Sequence, residues 1–345
     1  MWRKKSIAAT CSVLIEEDER VKILVTGGAG FIGFHSSRRL LAAGHEIVGI
    51  DNLNDYYDVG LKQARLALLS EHPNFAFFQL DLADREGIAK LFREQNFDIV
   101  LHLGAQAGVR YSLENPFAYI DSNITGTMTV LEGCRHNEIK HLIYASSSSV
   151  YGANSKQPFS TDDRVDSPVS LYAATKKSDE MLCEAYARLY GFPITGLRFF
   201  TVYGPWGRPD MAYFKFADSI LSGRSIDIYN NGEMSRDFTY IDDIVSGIFS
   251  IVTQGPVSVK KPHSIYNLGN NTPEPLMNLV GFLEESLGVE ARVNFLPMQP
   301  GDVISTYADI SATQRDYGFV PGTTLREGIS KFSEWYLKYR ALRSH

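Results

Sequence analysis

The stretch Val21–Gly33, VKILVTGGAGFIG, joins a short apolar run to a glycine-rich turn. The run before Gly27 is rich in valine, isoleucine and leucine, and such a run that ends in glycine predicts a buried β-strand. Gly27, Gly30 and Gly33 then recur in a G-x-x-G-x-x-G pattern. A helical segment, FHSSRRLLAAGH, follows, and then a second strand, EIVGID, which ends at Asp51. This order of strand, glycine turn, helix, strand and acid predicts a dinucleotide-binding βαβ unit.

The glycine turn and Asp51 indicate which dinucleotide the unit binds. Glycines allow the backbone to approach a pyrophosphate closely, and the pyrophosphate then rests on the helix N-terminus. Asp51 lies at the right distance along the chain to accept a hydrogen bond from the adenosine ribose 2′-hydroxyl, and its charge would repel a 2′-phosphate. NAD is therefore expected rather than NADP. A glycine turn in an α/β protein without a ligand is the alternative interpretation of the same residues.

Three further strands are predicted, FAFFQLDL (75–82), FDIVLHLGA (97–105) and HLIYASSSS (141–149), each separated from the next by a helix. Strands that alternate with helices predict a parallel, doubly wound sheet, in which ligands lie at the carboxyl ends of the strands. Asp81 follows the first of these strands and is expected to hold the adenine, with a helix cap as an equal alternative. The segment LGAQAG (103–108) is expected to pass beside the cofactor.

Tyr172 and Lys176 lie four positions apart in SLYAATKKSDEML, a segment that is predicted to be helical. On a helix that spacing puts both side chains on one face. A free tyrosine, with a pKa of about 10, is a poor base at neutral pH, but a nearby ammonium and a positive nicotinamide ring favour the phenolate. Tyr172 is therefore expected to remove a proton from a sugar hydroxyl while hydride passes to NAD. A surface helix with a half-buried tyrosine is the alternative.

The glycine turn, the serine-rich segment SSSSVYG and the segment YAATK resemble the extended short-chain dehydrogenase/reductase family, especially its nucleotide-sugar epimerases, dehydratases and decarboxylases. The resemblance covers nearly the whole chain from Val21. It implies that Ser147 takes the place of the family's catalytic serine or threonine, that Tyr172 is the base and that Lys176 binds the ribose. It also implies an α/β fold with a doubly wound parallel Rossmann sheet, a smaller C-terminal substrate-binding lobe and a tightly held NAD.

The second half of the chain supplies cations for an anionic ligand. Arg208 lies in TVYGPWGRPDMA, and Arg236 begins RDFTYIDDI. A guanidinium bonds phosphate oxygens through two nitrogens at once, and surface salt bridges are the alternative use of either arginine. These segments are similar to those of the family's 4-epimerases that act on UDP-glucuronate. That resemblance implies that the serines of SSSSVYG, Thr201 and Arg208 surround the sugar carboxylate and that Arg236 contacts the diphosphate.

The expected contacts fall into two groups, and no metal site is predicted. The residues expected to contact NAD are Gly27, Gly30, Phe31, Ile32, Gly33, Asp51, Asn52, Asp81, Leu82, Gln106, Tyr172 and Lys176. The residues expected to contact the UDP-sugar, with Phe214, Ile228 and Tyr229 near the uridine, are Ser147, Ser148, Ser149, Thr201, Arg208, Phe214, Ile228, Tyr229 and Arg236.

The expected activity is the NAD-dependent 4-epimerisation of UDP-glucuronate to UDP-galacturonate through a 4-keto intermediate. Related decarboxylases typically carry glutamate just before VYG and dehydratases carry Asp-Glu, whereas this chain has Ser148 and Ser149 there. Ser147 departs from the threonine that is frequent in the glucuronate enzymes. The enzymatic alternatives are a 4-epimerase of UDP-hexoses (UDP-glucose and UDP-galactose, or their N-acetyl forms) and a UDP-glucuronate decarboxylase. An NAD-binding regulatory protein is the non-enzymatic alternative.

The composition argues against several classes of protein. The 345 residues carry a net charge of −6 without a basic stripe, so no nucleic-acid partner is expected. No apolar run approaches the roughly 20 residues needed to cross a bilayer. The three cysteines, Cys11, Cys134 and Cys183, suggest neither a disulfide framework nor a metal site and favour a cytoplasmic location. A homodimer is expected, because relatives commonly associate through the helices that follow Pro116 and Ser170.

Three regions are predicted along the chain. Residues 1–20 are expected to be a disordered extension without a functional role, with translation from Val21 as an alternative. Residues 21–200 are expected to form the NAD-binding Rossmann domain. Residues 201–345 are expected to form the nucleotide-sugar-binding lobe, from which about residues 236–250 return to the first domain.

Overall fold

A computed structural model describes residues 20–258, 262–298 and 304–343. The predicted extension, apart from Arg20, lies outside the described residues. The strands are β1 (Lys22–Thr26), β2 (Glu46–Asp51), β3 (Phe75–Gln79), β4 (Ile99–His102), β5 (His141–Ser147), β6 (Ile194–Phe199), β7 (Thr201–Tyr203), β8 (Ser225–Tyr229), β9 (Ser235–Tyr240), β10 (His263–Leu268), β11 (Pro273–Pro275) and β12 (Arg292–Leu296).

Over the first half of the chain, one or more helices follow each strand. The helices are α1 (Phe31–Ala42), α2 (Val59–Ser70), α3 (Arg85–Gln95), α4 (Tyr111–Glu114), α5 (Pro116–Tyr119), α6 (Gly126–His136), α7 (Leu171–Tyr190), α8 (Ala212–Leu221), α9 (Ile241–Gln254), α10 (Leu276–Leu287), α11 (Ser311–Tyr317) and α12 (Leu325–Arg343). A π-helical turn (Ile120–Thr125) precedes α6, and short 3-10 turns follow β5 (Ser148–Tyr151) and β8 (Asn230–Gly232).

The large sheet is parallel throughout, with the strand order β10-β6-β5-β4-β1-β2-β3. Ile23 of β1 pairs with Ile47 of β2 on one side and with Ile99 of β4 on the other. The chain therefore runs outward from β1 in both directions, and the order reverses between β1 and β4. Ligands of such sheets bind at this reversal, beyond the carboxyl ends of the strands. The predicted doubly wound parallel sheet is confirmed.

Both faces of this sheet are covered, which explains why the first strand is apolar without alternation. Successive side chains of a strand point to opposite faces. Ile23 and Val25 accordingly belong to one apolar cluster, and Leu24 belongs to the other. Helix α1 packs against α9 in the first cluster, and α3 packs against α6 in the second. This packing fixes the positions of the strand ends from which the site is built.

The later part of the chain forms two smaller sheets, β11-β9-β7 and β12-β8. Helices α8, α10 and α12 pack together beside them. The chain returns to the large sheet through α9, which packs on α1, and through β10, which pairs with β6. The sequence prediction of this return covered only about residues 236–250 and did not anticipate β10. Among the described residues, no helix is both long and apolar enough to span a membrane.

Candidate active site

A cavity of about 910 Å³ opens where the carboxyl ends of the large sheet face the smaller sheets. Both predicted groups of contacts meet there. The predicted residues that line it are Gly27, Gly30, Phe31, Ile32, Gly33, Asp51, Asn52, Asp81, Leu82, Gln106, Ser147, Ser148, Ser149, Tyr172, Lys176, Thr201, Arg208, Tyr229 and Arg236.

Phe214 and Ile228 do not line the cavity, and their predicted contact with the uridine is corrected. Ile228 is fully buried in the core, whereas its neighbour Tyr229 lines the cavity. Phe214 faces α12 from α8, and its ring packs edge-on against Tyr336 with 5.0 Å between ring centroids. Both side chains stabilise the smaller lobe and do not line the ligand cavity.

The glycine turn is shaped by close contacts between backbone segments. Gly27 has φ 68°, a left-handed conformation that glycine adopts without cost. A Cβ atom at Gly33 would lie 2.2 Å from the carbonyl oxygen of Gly27, so no larger residue fits there without rearrangement. Helix α1 begins after Gly30 without a side-chain cap, and its first N–H groups remain available at the cavity. The turn therefore fits a pyrophosphate that lies against bare backbone.

The acids at the strand ends are held in place by short local hydrogen bonds. Asp51 accepts a hydrogen bond from the backbone N–H of Leu53 at 2.9 Å, and Lys62 Nζ lies 3.5 Å from its Oδ1. Asp81 accepts a hydrogen bond from Asn52 Nδ2 at 2.8 Å. The sequence analysis missed Lys62, which also lines the cavity. Its position eleven residues after Asp51, on the first turn of α2, could have drawn attention to it.

Tyr172 and Lys176 lie in the first two turns of α7, and the N-cap residue Ser170 accepts a hydrogen bond from the backbone N–H of Ala173. Lys176 is only 3 % exposed. Its Nζ donates hydrogen bonds to the carbonyl oxygen of Ala145, at the end of β5, and to Asp179 Oδ2, both at 3.1 Å. The ammonium is thus anchored between the sheet and its own helix, beside the phenol of the preceding turn.

Asp179 is a second residue that the sequence analysis missed. It is buried together with Lys176, and burial raises the pKa of its carboxyl to about 6 despite the neighbouring ammonium. Burial also acts to lower the pKa of Lys176, but Asp179 and Tyr172 more than offset it, so that the lysine pKa is raised. Both groups are therefore charged at neutral pH. The spacing of three residues from Lys176 on a helix was the available signal.

The four serines of the row Ser146–Ser149 all line the cavity but divide by their hydrogen-bond partners. Ser146 donates a hydrogen bond to Glu180 Oε1 at 2.7 Å, on the side of the sheet that α7 covers. Ser147 points the other way and donates to Ser149 Oγ at 3.1 Å. The hydroxyl groups of Ser147, Ser148 and Ser149 belong to residues that line the cavity beside Tyr172. The alternation of a strand explains this division.

Arg208 enters the cavity already paired. Its Nε donates to Asp210 Oδ1 at 3.0 Å and its Nη2 contacts Asp210 Oδ2, which leaves Nη1 outside these two bonds. Tyr56, from the loop after β2, donates its hydroxyl to Asp210 Oδ2 at 3.1 Å. Burial acts to raise the pKa of Asp210, but Arg208 holds it below its usual range. The sequence analysis missed Tyr56 and Asp210, because their contact joins distant segments.

Arg236 and Tyr229 line the opposite part of the cavity. Arg236 donates from Nη1 to the carbonyl oxygens of Ser235 at 2.9 Å and Ile304 at 3.2 Å. The guanidinium of Arg110, which the sequence analysis also missed, lies 5.1 Å from the ring centroid of Tyr229. Two cations and an aromatic ring therefore gather on this side, a set suited to a phosphate-bearing nucleotide.

A parallel doubly wound sheet, a glycine turn, an acid at the next strand end and a tyrosine–lysine pair on one helix face define a dinucleotide-binding enzyme of the short-chain dehydrogenase/reductase type. The sequence profile described as "NAD dependent epimerase/dehydratase family" matches residues 23–269. The chain belongs to this family, which confirms the resemblance found in the sequence.

Named relatives are similar over nearly the whole chain. A probable UDP-glucuronate 4-epimerase of Rhizobium meliloti is 47% identical over 92% of this chain and 97% of its own length. UDP-glucuronate 4-epimerase 4 of Arabidopsis thaliana is 46% identical over 98% of this chain and 80% of its own. The crystal structure of UDP-glucuronic acid 4-epimerase from Bacillus cereus, in complex with UDP-glucuronic acid and NAD, superposes with a TM-score of 0.86 at 34% identity, covering 92% of this chain and 99% of that one.

Proposed function

We propose that this chain interconverts UDP-glucuronate and UDP-galacturonate as an NAD-dependent 4-epimerase. The observation that carries the proposal is one cavity in which the glycine turn, the Tyr172–Lys176 pair and a second set of anion-binding groups meet. The epimerases to which the chain is similar, one of them crystallised with UDP-glucuronic acid and NAD, support this choice of substrate and cofactor. The contact residues named from the sequence are proposed as the ligand contacts, except for Phe214 and Ile228.

In the proposed mechanism, Tyr172 accepts the proton of the C4 hydroxyl, and Ser147 holds the same oxygen by a hydrogen bond. Bound NAD would accept the hydride from C4 of the sugar, and the reduced cofactor would return the hydride to C4 from the opposite face of the sugar ring. Lys176, fixed by Ala145 and Asp179, keeps a positive charge beside the phenol that accepts the proton. Arg236 holds the diphosphate while the 4-keto sugar turns over. Tyr172 then returns the proton to the new C4 hydroxyl.

The carboxylate poses a chemical problem that Thr201 and Arg208 are placed to solve. Oxidation at C4 of a glucuronate produces a β-keto acid, which loses CO₂ when the bond to the carboxylate aligns with the carbonyl π system. Directional, charge-assisted hydrogen bonds hold a carboxylate out of that alignment. Ser148, Ser149 and Thr201 provide hydroxyl groups, and Arg208 provides the guanidinium edge that Asp210 does not occupy. Decarboxylation is thereby suppressed.

A product assay on a panel of UDP-sugars tests the proposed function. The purified chain is incubated separately with UDP-glucuronate, UDP-glucose and UDP-N-acetylglucosamine, and the products are separated and identified by mass and retention. Formation of UDP-galacturonate from UDP-glucuronate is the expected result. A UDP-pentose as the main product identifies a decarboxylase, and turnover of the neutral sugars alone identifies a hexose epimerase. Absence of turnover on every sugar favours the regulatory alternative.

We also propose a homodimer that forms through α4, α5 and α7. The apolar side chains of Leu113 and Phe117 are 81% and 75% exposed, and those of Met181 and Leu189 on α7 are exposed as well. Exposed apolar side chains on helices that contact one another are typical of an interface between subunits. Light scattering coupled to gel filtration is expected to give the dimer mass for the unmodified chain and the monomer mass for Phe117→Glu. A monomeric unmodified chain contradicts the proposal.

We also propose a division into two domains and a cytoplasmic location. We propose that the chain divides into an NAD-binding domain (21–200) and a UDP-sugar lobe (201–345), from which about residues 236–250 return to the first domain. The smaller sheets β11-β9-β7 and β12-β8, which belong to the second region, and the packing of α9 on α1 support this division. Limited proteolysis with and without ligands tests this boundary. A cytoplasmic location is supported by the free thiols of Cys134 and Cys183, both buried, and cell fractionation tests it.

A further inference from the structure

The backbone carbonyl groups of Pro205, Trp206 and Gly207, in that order, directly precede Arg208. All three accept hydrogen bonds from side chains of the NAD-binding half. His35 Nε2, on α1, lies 3.0 Å from the first carbonyl oxygen. Arg65 Nη2, on α2, donates to the second at 2.6 Å and to the third at 3.1 Å. The loop that carries Arg208 is therefore hydrogen-bonded to α1 and α2, the two helices that flank the cofactor side of the cavity.

Arg65 is an unusual cation for this task because it is fully buried and, among the described residues, forms no ion pair with a carboxylate. Its Nη1 donates to the carbonyl oxygen of Ala29 at 2.8 Å and to the hydroxyl of Tyr57 at 2.9 Å. A buried charge is costly unless polar groups replace its lost hydration. Here backbone oxygens replace most of it. One guanidinium thus spans the glycine turn, at Ala29, and the loop before Arg208.

The loop has a backbone conformation that needs such support. Trp206 has φ 61°, in the left-handed region that residues with a side chain rarely adopt. Gly207 is equally constrained, because a Cβ atom there would lie 1.9 Å from the Tyr213 hydroxyl. A strained conformation persists only where the surrounding structure over-determines it. The indole of Trp206 also packs near Phe34 and Trp335, with centroid distances of 5.6 and 5.3 Å.

His35 complements Arg65 without adding a charge. Burial lowers the pKa of His35 to about 4, so the imidazole is neutral at physiological pH. A carbonyl can only accept a hydrogen bond, so the contact with Pro205 requires the proton on Nε2. The two donors therefore hold the loop by different chemistry, a neutral ring on α1 and a delocalised cation on α2.

We propose that Arg65 and His35 are positioning residues that hold the 205–207 loop in the conformation in which Arg208 faces the substrate. The role of Arg208 rests on the proposed function. Arg65 and His35 themselves contact the loop and act on the substrate only through it. Because Arg65 also holds Ala29 in the glycine turn, the geometry of the cofactor site and that of the substrate loop depend on the same side chain.

A double-mutant cycle tests this proposal. Arg65→Met, which keeps the aliphatic volume but removes the donors, is compared in the wild-type and Arg208→Ala backgrounds. The dissociation constant of UDP-glucuronate is measured by calorimetry on NAD-loaded protein, together with KM and kcat. Arg65→Met is expected to weaken binding roughly tenfold in the first background and less than about twofold in the second, because residues of one network are not additive. KM is expected to change more than kcat.

Controls separate positioning from folding. Arg93→Met, on the exposed side of α3, is expected to leave binding unchanged. Thermal unfolding and the NAD retained after gel filtration report on the fold of each variant. If Arg65→Met does not fold, the cycle is run with Arg65→Lys, which keeps the charge without the planar fork, and with His35→Phe, for which His35→Gln, an amide that retains a donor, is the rescue.

Two results overturn the proposal. One is an equal loss of affinity on mutation of Arg65 in both backgrounds, and the other is unchanged affinity in a folded Arg65→Met protein. Failure of the proposed function is seen separately, in the wild-type chain. If the wild-type protein binds UDP-glucuronate without converting it, the epimerase assignment is refuted, but the double-mutant cycle can still be interpreted. If the wild-type protein does not bind UDP-glucuronate, both the epimerase assignment and the positioning role of Arg65 and His35 are refuted.

Discussion

The two halves of the cavity are lined by different kinds of chemical group, backbone in one and side chains in the other. The cofactor half presents backbone, in the glycine turn and the uncapped start of α1, with Asp51 and Asp81 each accepting a hydrogen bond from a backbone N–H two residues on. The substrate half presents charged side chains that bond to one another, as in the set Arg208, Asp210 and Tyr56. The first half depends on segments adjacent in the chain, and the second on segments brought together by folding.

This difference predicts how each half responds to substitution. Backbone donors cannot turn away from a ligand, so an added atom in the glycine turn is expected to abolish binding altogether. Side chains that are already paired can exchange partners, so removal of one group in the substrate half is expected to change selectivity and product distribution before it abolishes binding. The experiments below test this contrast, in order of decreasing expected effect.

Gly33→Ala is expected to abolish the retention of NAD, because its Cβ would lie 2.2 Å from the carbonyl oxygen of Gly27 and only backbone movement can relieve the clash. The forced shift is also expected to destabilise the fold by about 1–3 kcal/mol. Gly281→Ala is the matched control, since a Cβ in that helix meets nothing within 4 Å. Absorbance of bound nucleotide and thermal unfolding measure the two effects. Normal NAD content in Gly33→Ala contradicts the assignment of the turn.

Tyr172→Phe is expected to fold and retain NAD but to lose at least about two orders of magnitude in turnover, the scale of general-base removal. Tyr190→Phe, at the end of the same helix, is the control and is expected to keep normal turnover. The rate of UDP-galacturonate formation measures the effect. Turnover near that of the unmodified chain in a pure Tyr172→Phe sample excludes Tyr172 as the base.

Arg208→Ala and Thr201→Ala are expected to slow epimerisation by roughly tenfold, the worth of a hydrogen bond to a charged group. They are also expected to raise the fraction of UDP-pentose or of NADH left on the enzyme, because the carboxylate is no longer held. Arg224→Ala, an exposed arginine paired with Asp218, is the control. Mass-resolved product analysis measures the by-product. Weaker UDP binding without added CO₂ loss or a change in bound NADH leaves no carboxylate role for either residue.

Asp51→Ala is expected to weaken NAD binding by roughly tenfold and to narrow the preference for NAD over NADP, because the ribose loses a charged acceptor. Lys62 remains 3.5 Å from the vacated position and supplies a cation for a 2′-phosphate. Asp55→Ala, exposed in the same loop, is the control. Calorimetry after removal of bound nucleotide gives both affinities. Equal affinity of the unmodified chain for the two cofactors argues decisively against Asp51 as the selective residue.

The pH profile is expected to show the smallest effect. Burial raises the pKa of Asp179 to about 6, so this carboxylate is charged above that pH and gains a proton below it. Lys176 then loses its counter-ion, and kcat/KM is expected to fall on the acid side of about pH 6. Asp179→Asn should lower activity modestly and flatten this limb. If the acid limb of the pH profile is unchanged in Asp179→Asn, another titratable group causes that limb. The charged and titratable neighbours of the pair are Tyr172, Glu180, Cys183 and His102.

That the residues of the cofactor half line one cavity could be predicted from the sequence, because their geometry is local. One turn leads from Gly27 into α1, which contains Gly33. Asp51 ends the next strand, and Tyr172 and Lys176 share a helix face through their spacing alone. Prediction was weaker in the substrate lobe. Ile228 was chosen together with Tyr229, although only Tyr229 lines the cavity and Ile228 is buried in the core.

Phe214 was misplaced for a related reason. A helix presents one apolar stripe to its neighbours, and the position of that neighbour decides whether a given aromatic residue faces a ligand or a core. The neighbour of α8 is the distant helix α12, whose Phe332 and Tyr336 receive the Phe214 ring. Nothing within the segment AYFKF indicates that contact.

The sequence by itself determined the parallel sheet, the glycine turn, the acid at the end of β2 and the tyrosine–lysine pair. Each of these depends on the fixed period of a strand or helix, or on a turn that only glycine permits. The tertiary structure alone decided that Tyr56 meets Asp210 and that Arg65 holds the loop before Arg208. These contacts join segments far apart in the chain, and a residue's charge partners and burial are properties of the packed environment, which no local pattern encodes.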